Sequence, residues 1–280
     1  MGDGFYDLVA SAEAIIDSAP GDFDVFSRIR SIFEEILERR LYIQALNDLV
    51  QRKLNEGGRL TGNMSNERLT VLHTSPVSSW GILTHSLPSE DLYLGPVHTM
   101  SALISGSNLI VDRYRSIRPL DMSVFDDGAM LELSEQRTPD EGEIFTKNGT
   151  FEALDVRTNG PEAMTLRVNT TNFAQFEWAF DRETRKAKYS SAMNRIDSNL
   201  STILEMLASV RSSESVPHVA QLSRHPAHFI RWKAIQTMWN IDETQAKDML
   251  ADALNDPHPH VRAAARSTIA AHRAALASLQ

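Results

Sequence analysis

Side chains able to do acid–base or metal chemistry fall into two groups along this chain. The first, between residues 65 and 180, comprises His73, His85, His98, Glu90, Glu132 and Glu152. An iron or similar ion in an oxygen and nitrogen site needs two imidazoles or a facial triad of two imidazoles and a carboxylate. His85 and His98, 13 residues apart on what should be neighbouring strands, could supply such a set with Glu152 as the third ligand. The blander reading makes both histidines structural, with His98 a hydrogen-bonded pocket residue. Arg167 and Glu152 read first as a buried or rim ion pair, because burying either charge alone is costly. Alternatively Arg167 grips a ligand carboxylate with its planar fork.

The second group is C-terminal: His218, His225, His228, His258, His260 and His272. Four of these flank Pro226 and Pro257, where turn residues are common, and His258 and His260 lack the i, i+4 spacing of two ligands on one helix face. A turn role is therefore preferred over a metal cluster. Other chemistries are excluded more firmly. There is no cysteine, hence no disulfide, thiolate site or cysteine nucleophile. No Gly-x-Ser-x-Gly elbow, Gly-x-x-x-x-Gly-Lys-Ser/Thr loop or Gly-x-Gly-x-x-Gly turn occurs. A net charge of −9 opposes general nucleic-acid binding. No apolar run is long enough to span a bilayer, and the acidic N-terminus lacks the features of a signal peptide. Together with the missing cysteines this gives a cytoplasmic, non-membrane expectation.

Three segments must position these residues. Residues 1–58 read as helical, with Ile29, Ile32, Phe33, Ile36, Leu37 and Ile43 on one stripe, Arg40 interrupting it, Asp22 or Asp24 as cap and Gly57-Gly58 as terminator. Residues 59–181 carry eight or nine short strands, among them LTVLHT, WGILTHSL, FEALDV and AMTLRVNT, punctuated by turn residues, which suggests a sandwich or barrel. Asn148-Gly149 predicts a type I′ hairpin, and Phe173, Phe176, Trp178 and Phe180 read as an aromatic core strand. Residues 182–280 return to helix: a stripe of Ile196, Leu200, Ile203, Leu204 and Leu207 within 186–211, a linker at 212–215, and then a repeat in which Pro226…Ile230-Arg231…Ala234 matches Pro257…Val261-Arg262…Ala265 at a period of 31.

That repeat, spanning 216–280, resembles the short-period HEAT family of helical repeats. The stretch 92–169 is similar to the cupin superfamily, within it the thiol-dioxygenase-like branch: HTMSALISGSNLIVDRYR with Gly106 at its tight turn, Glu141-Gly142-Glu143-Ile144 followed by Phe151-Glu152-Ala153, and MTLRVN. The resemblance implies an α+β chain: a cupin-like double-stranded β-helix barrel flanked by an N-terminal helical segment and a C-terminal HEAT-like segment. It also implies where a metal would be held. Counting from Gly106, Leu92 and Leu94 stand at the His-x-His pair, Glu152 at the third histidine, and Arg167 and Asn169 at the later strand's histidine and tyrosine. In another register His98 and Met100 take the first two places. Neither register supplies three ligands, so no cofactor is expected, and His98, Met100, Glu152, Arg167 and Asn169 become candidate ligand-binding residues. The expected function is a non-catalytic cupin-like protein that binds a small molecule or a protein partner, with the repeats as a contact surface. The alternatives are an oxygenase holding iron or another divalent metal through His85, His98 and Glu152, and a metal-free isomerase or lyase. Cupins are often dimers, which implies a homodimer.

Overall fold

The apolar positions Ile29, Phe33 and Ile36 recur every three to four residues, and in the computed structural model they form the fully buried side of helix α2 (Val25–Glu38). The structure describes residues 4–55, 69–86, 88–170, 176–193 and 195–277. Helix α2 lies between α1 (Phe5–Asp17) and α3 (Tyr42–Asn55). It ends in a Schellman motif: the Leu41 N–H reaches the Ile36 carbonyl, the Arg40 N–H that of Leu37, and Arg40 takes φ 51°. Arg40 therefore terminates the stripe instead of interrupting it. Ile43 falls on the next helix, 44% exposed. Asp24 occupies the N-cap of α2 but makes no capping bond. The Gly57-Gly58 terminator and the 58/59 boundary lie outside the described residues.

Eleven strands follow among the described residues: β1 (Leu69–Thr74), β2 (Ser78–His85), β3 (Asp91–Leu94), β4 (Thr99–Ser105), β5 (Leu109–Ser116), β6 (Leu131–Arg137), β7 (Ile144–Lys147), β8 (Glu152–Thr158), β9 (Ala163–Thr170), β10 (Phe176–Asp181) and β11 (Ala187–Ala192). They pair antiparallel in the orders β1-β2-β9-β4-β7, β11-β10-β3 and β6-β5-β8. Because β3 also lies beside β8, two layers result, β1-β2-β9-β4-β7 and β11-β10-β3-β8-β5-β6. Early strands pairing with late ones, and consecutive strands crossing between layers, make the double Greek key of jelly rolls and cupins. The fold is thus α+β, with central antiparallel sheets between N-terminal helices and C-terminal repeats.

Of two expected turns, one forms and the other does not. Neither Asn148 nor Gly149 has positive φ, and β7 and β8 pair with different strands, so the type I′ hairpin does not form. Gly149 is required instead for close approach: a Cβ there would stand 2.4 Å from the carbonyl oxygens of Gly95 and Val97. Gly106, with φ 100°, does turn the chain from β4 into β5, and Asn108 follows at φ 59°.

The chain divides into two compact units, 1–191 and 192–280. The N-terminal helices share the first with the barrel: Phe5, Ile29, Phe33 and Ile36 form one core with Leu72, Trp80, Ile82, Met100, Ala102, Leu166 and Val168. Glu13 of α1 reinforces the join by accepting from the hydroxyls of Ser75 and Ser78 and contacting His73. The expected helix over 186–211 begins later, at α4 (Arg195–Val210), because Ala187–Ala192 pairs as a strand.

The second unit continues with α5 (Val216–Leu222), α6 (His228–Ile241), α7 (Glu243–Asp252) and α8 (Pro259–Ala277). Its repeat is structural. Ile230 and Ala234 are buried as Val261 and Ala265 are, and each repeat's arginine folds back on its own turn. The Arg231 guanidinium donates to the carbonyls of His225 and Pro226, and that of Arg262 to those of Asp256 and Pro257. Of the α4 stripe, Leu204 is fully buried and Leu200 and Leu207 pack beside it, while Ile196 and Ile203 face outward.

Candidate functional site

The side chains that pack on the helices settle which face of the large sheet is internal. Met100, Ala102, Leu166 and Val168 belong to the helix-facing core. Side chains alternate along a strand, so Thr99, Ser101, Leu103, Arg167, Asn169, Phe145 and Lys147 occupy the opposite face. Leu103 and Phe145 meet Leu109 and Val111 of the second layer there, closing one end of the barrel with hydrocarbon.

The expected site residues divide accordingly. Met100 is core against the helices and takes no part in an interior site. His98 is buried as a strut: its Nε2–H donates to the Gly21 carbonyl at 2.9 Å and its Nδ1 accepts from the Gly149 N–H at 3.1 Å. These two partners hold the neutral tautomer, and burial lowers the imidazole's proton affinity below the usual range. His85 is buried beside the Thr165 hydroxyl. The expected Glu152–Arg167 pair is replaced by another arrangement. Glu152 accepts from the guanidinium groups of Arg113 and Arg115 and from the Asn148 N–H, so its oxygens are filled by its own sheet and turn. Arg167 and Asn169 do share the interior face, where Arg167 Nε donates to Ser101 Oγ at 3.2 Å and Asn169 Oδ1 accepts from Thr99 Oγ1.

Leu92 and Leu94 are buried on β3 opposite Phe180 and Trp178, so the places of the resembling family's histidine pair belong to an apolar layer. Phe176, Trp178 and Phe180 are core as expected, whereas Phe173 lies outside the described residues. Among the described residues, His85, His98 and Glu152 do not form a group able to share an ion. Leucine offers no donor at the places of that histidine pair, and the face opposite the helices carries the cations Lys147 and Arg167.

Two interior residues were missed from the sequence. Lys147 sits deep enough that burial pushes its ammonium down to about 8, with the nearby Arg167 charge pushing the same way and Glu177 and Glu152 opposing. Arg167 is itself pushed down to about 10 by burial. Glu177, on β10, is raised by burial and partly restored by Lys147. Both cations nevertheless keep part of their surface accessible. The signals were there: Lys147 shares alternation with Phe145 on a four-residue strand, and Glu177 stands inside an aromatic run.

The family profile for HEAT repeats matches residues 198–270. No curated protein matches the chain. Solved structures similar to it include a hydroquinone 1,2-dioxygenase, PnpCD, solved with Cd2+ and 4-hydroxybenzonitrile (10% identity over 40% of this chain and 68% of that one, TM-score 0.30). Another is a sugar phosphate isomerase of the cupin superfamily from Silicibacter pomeroyi (8% identity, 42% and 68% covered, TM-score 0.24). A third is the DMSP lyase DddQ from Ruegeria pomeroyi (12% identity, 59% and 74% covered, TM-score 0.27).

Proposed function

We propose that the barrel is a metal-free receptor for a small carboxylate-bearing molecule, which Arg167 and Lys147 bind on the interior face. The observation that carries this is the pairing of two deep cations with Glu177, a carboxylate that burial itself disfavours as a charge, while Glu152, the other carboxylate near Lys147, is already held by Arg113 and Arg115. Burying unbalanced positive charge is costly, and an anionic ligand would offset that cost. A guanidinium presents the planar fork a carboxylate accepts, and a lysine adds a point charge. Ser101 and Asn169, on the same face, add hydrogen-bonding groups.

The repeats are the proposed protein-contact surface. Ile196, Ile203, Met206 and Val210 run down one side of α4, each half or more exposed. Among the described residues no helix is long and apolar enough to cross a membrane.

Calorimetric titration of the full chain with mono- and dicarboxylates tests the barrel reading. Binding should weaken at least tenfold, about 1.4 kcal/mol, in each of Arg167→Met and Lys147→Met. Unchanged affinity in both variants, or no carboxylate binding by the parent, refutes it. The Lys147 shift also favours a second reading, metal-free proton transfer, since an amine titrating at about 8 is a serviceable base near neutral pH. Lys147→Gln separates the two: turnover lost with binding retained supports catalysis.

A further inference from the structure

The turns that begin the two repeats bring three histidines together. His228 opens α6, His258 lies in the turn before α8, and His260 is in the first turn of α8. One ligand nitrogen from each lies within 4.8 Å of the others. The rings of His228 and His258 lie parallel with centroids 3.5 Å apart, and that of His260 stands edge-on to both at 6.0 and 5.2 Å. From this geometry we infer that the second unit holds a divalent transition-metal site of the three-imidazole class, binding an ion such as zinc and clamping the two repeats together.

The metrics suit such an ion. Zinc–imidazole bonds of about 2.0–2.1 Å in a tetrahedral shell place ligand nitrogens about 3.3 Å apart. The nitrogens already lie within 4.8 Å of one another, and the stacked His228 and His258 rings must turn out of their parallel arrangement for their in-plane lone pairs to converge on one ion. His228 is 9% exposed, so the group lies largely out of bulk water.

The same surroundings select the kind of ion. Two helix N-termini point their positive ends at the cluster, and Arg231 is close, although its charge is matched by the two-pronged pair with Asp256 at 2.6 and 2.8 Å. Attraction by net charge is thus small, and affinity must come from coordinate bonds to nitrogen. That favours zinc, nickel, cobalt or copper over magnesium and calcium, which require oxygen. Asp256 also accepts from the His258 N–H and so holds the turn that carries two of the three ligands. Three protein ligands leave a fourth position for water or an exogenous group.

The test uses the full chain, freed of metal with EDTA, dialysed against ZnCl2 and assayed for zinc per chain, with Co2+ absorption as a report on coordination. One zinc per chain should be retained, and a tetrahedral cobalt spectrum should appear. His260→Ala and, as a gentler change, His258→Gln should each weaken binding roughly 100-fold or more, beyond what loss of an outer-shell partner costs. His272→Ala, which alters a histidine packed on Trp239, should leave it unchanged. Circular dichroism verifies that each variant is folded, and ZnCl2 should raise the thermal midpoint of the parent and of His272→Ala only. No zinc retained by the parent, or equal retention in the His258 and His260 variants, overturns the inference.

Discussion

Replacing Lys147 by methionine should make the protein more stable at neutral pH while removing the proposed ligand site. In the folded chain the ammonium is pushed down from 10.5 to about 8, principally by burial. At about 1.4 kcal/mol per factor of ten in proton affinity, that fall corresponds to at most about 3 kcal/mol of folding free energy lost while the group is charged. Partial access to water reduces this, so a gain of about 1–3 kcal/mol is expected for Lys147→Met at pH 7. The sign follows from linkage. Between about 8 and 10.5 the unfolded chain binds a proton that the folded chain does not, so the parent gains stability as pH rises through that window. The groups facing Lys147 are Arg167, Glu177 and Glu152, which are common to both proteins. The variant's advantage should therefore be full at pH 7 and shrink towards zero by about pH 10.5. The assay is denaturant unfolding across that range in a Trp232→Phe, Trp239→Phe background. Trp80 and Trp178 then report on the first unit alone. A pH-independent difference, or a variant less stable than the parent at pH 7, would show that Lys147 is not a desolvated cation.

Three further perturbations probe the supports. His98→Ala strands the Gly21 carbonyl and the Gly149 N–H, at about 1–3 kcal/mol for each buried group left without a partner. Because the His98 imidazole titrates below 6.5 in the folded state, with Lys147 lowering it and Asp22 raising it, the parent should also lose stability as pH falls below 6.5, with a shallower loss in the variant. Gly149→Ala forces a methyl against two backbone oxygens and should lower the unfolding free energy, measured by denaturant titration, by about 1–3 kcal/mol or more, since neither oxygen is on a flexible side chain. Arg231→Met leaves the Asp256 carboxylate without its two-pronged partner and should cost the second unit about 3–5 kcal/mol, read by the Trp232 and Trp239 fluorescence transition.

The chain's one-dimensional patterns were sufficient wherever the cause of structure was local. The spacing of Ile29, Phe33 and Ile36 specified a helix face, β-branched runs between turn residues specified strands, and the 31-residue repeat aligned Ile230 with Val261 and Ala234 with Ala265. The donor poverty of Leu92 and Leu94 was equally legible, because a hydrocarbon cannot coordinate in any fold. Contacts between distant segments were not. Whether Met100 or Ser101 faced the interior depended on which side of the sheet the N-terminal helices covered, and a one-residue shift in alternation exchanges the two faces. Glu152 chose Arg113 and Arg115 over Arg167 because β8 pairs with β5, and Gly149 gave up its hairpin because β7 and β8 entered different sheets. His228, His258 and His260 met because one repeat stacked on the next, which joins residues that their separation in the chain keeps apart. Local propensity is written in neighbouring side chains, whereas the location of a buried charge or a ligand cluster is decided by which surfaces exclude water together.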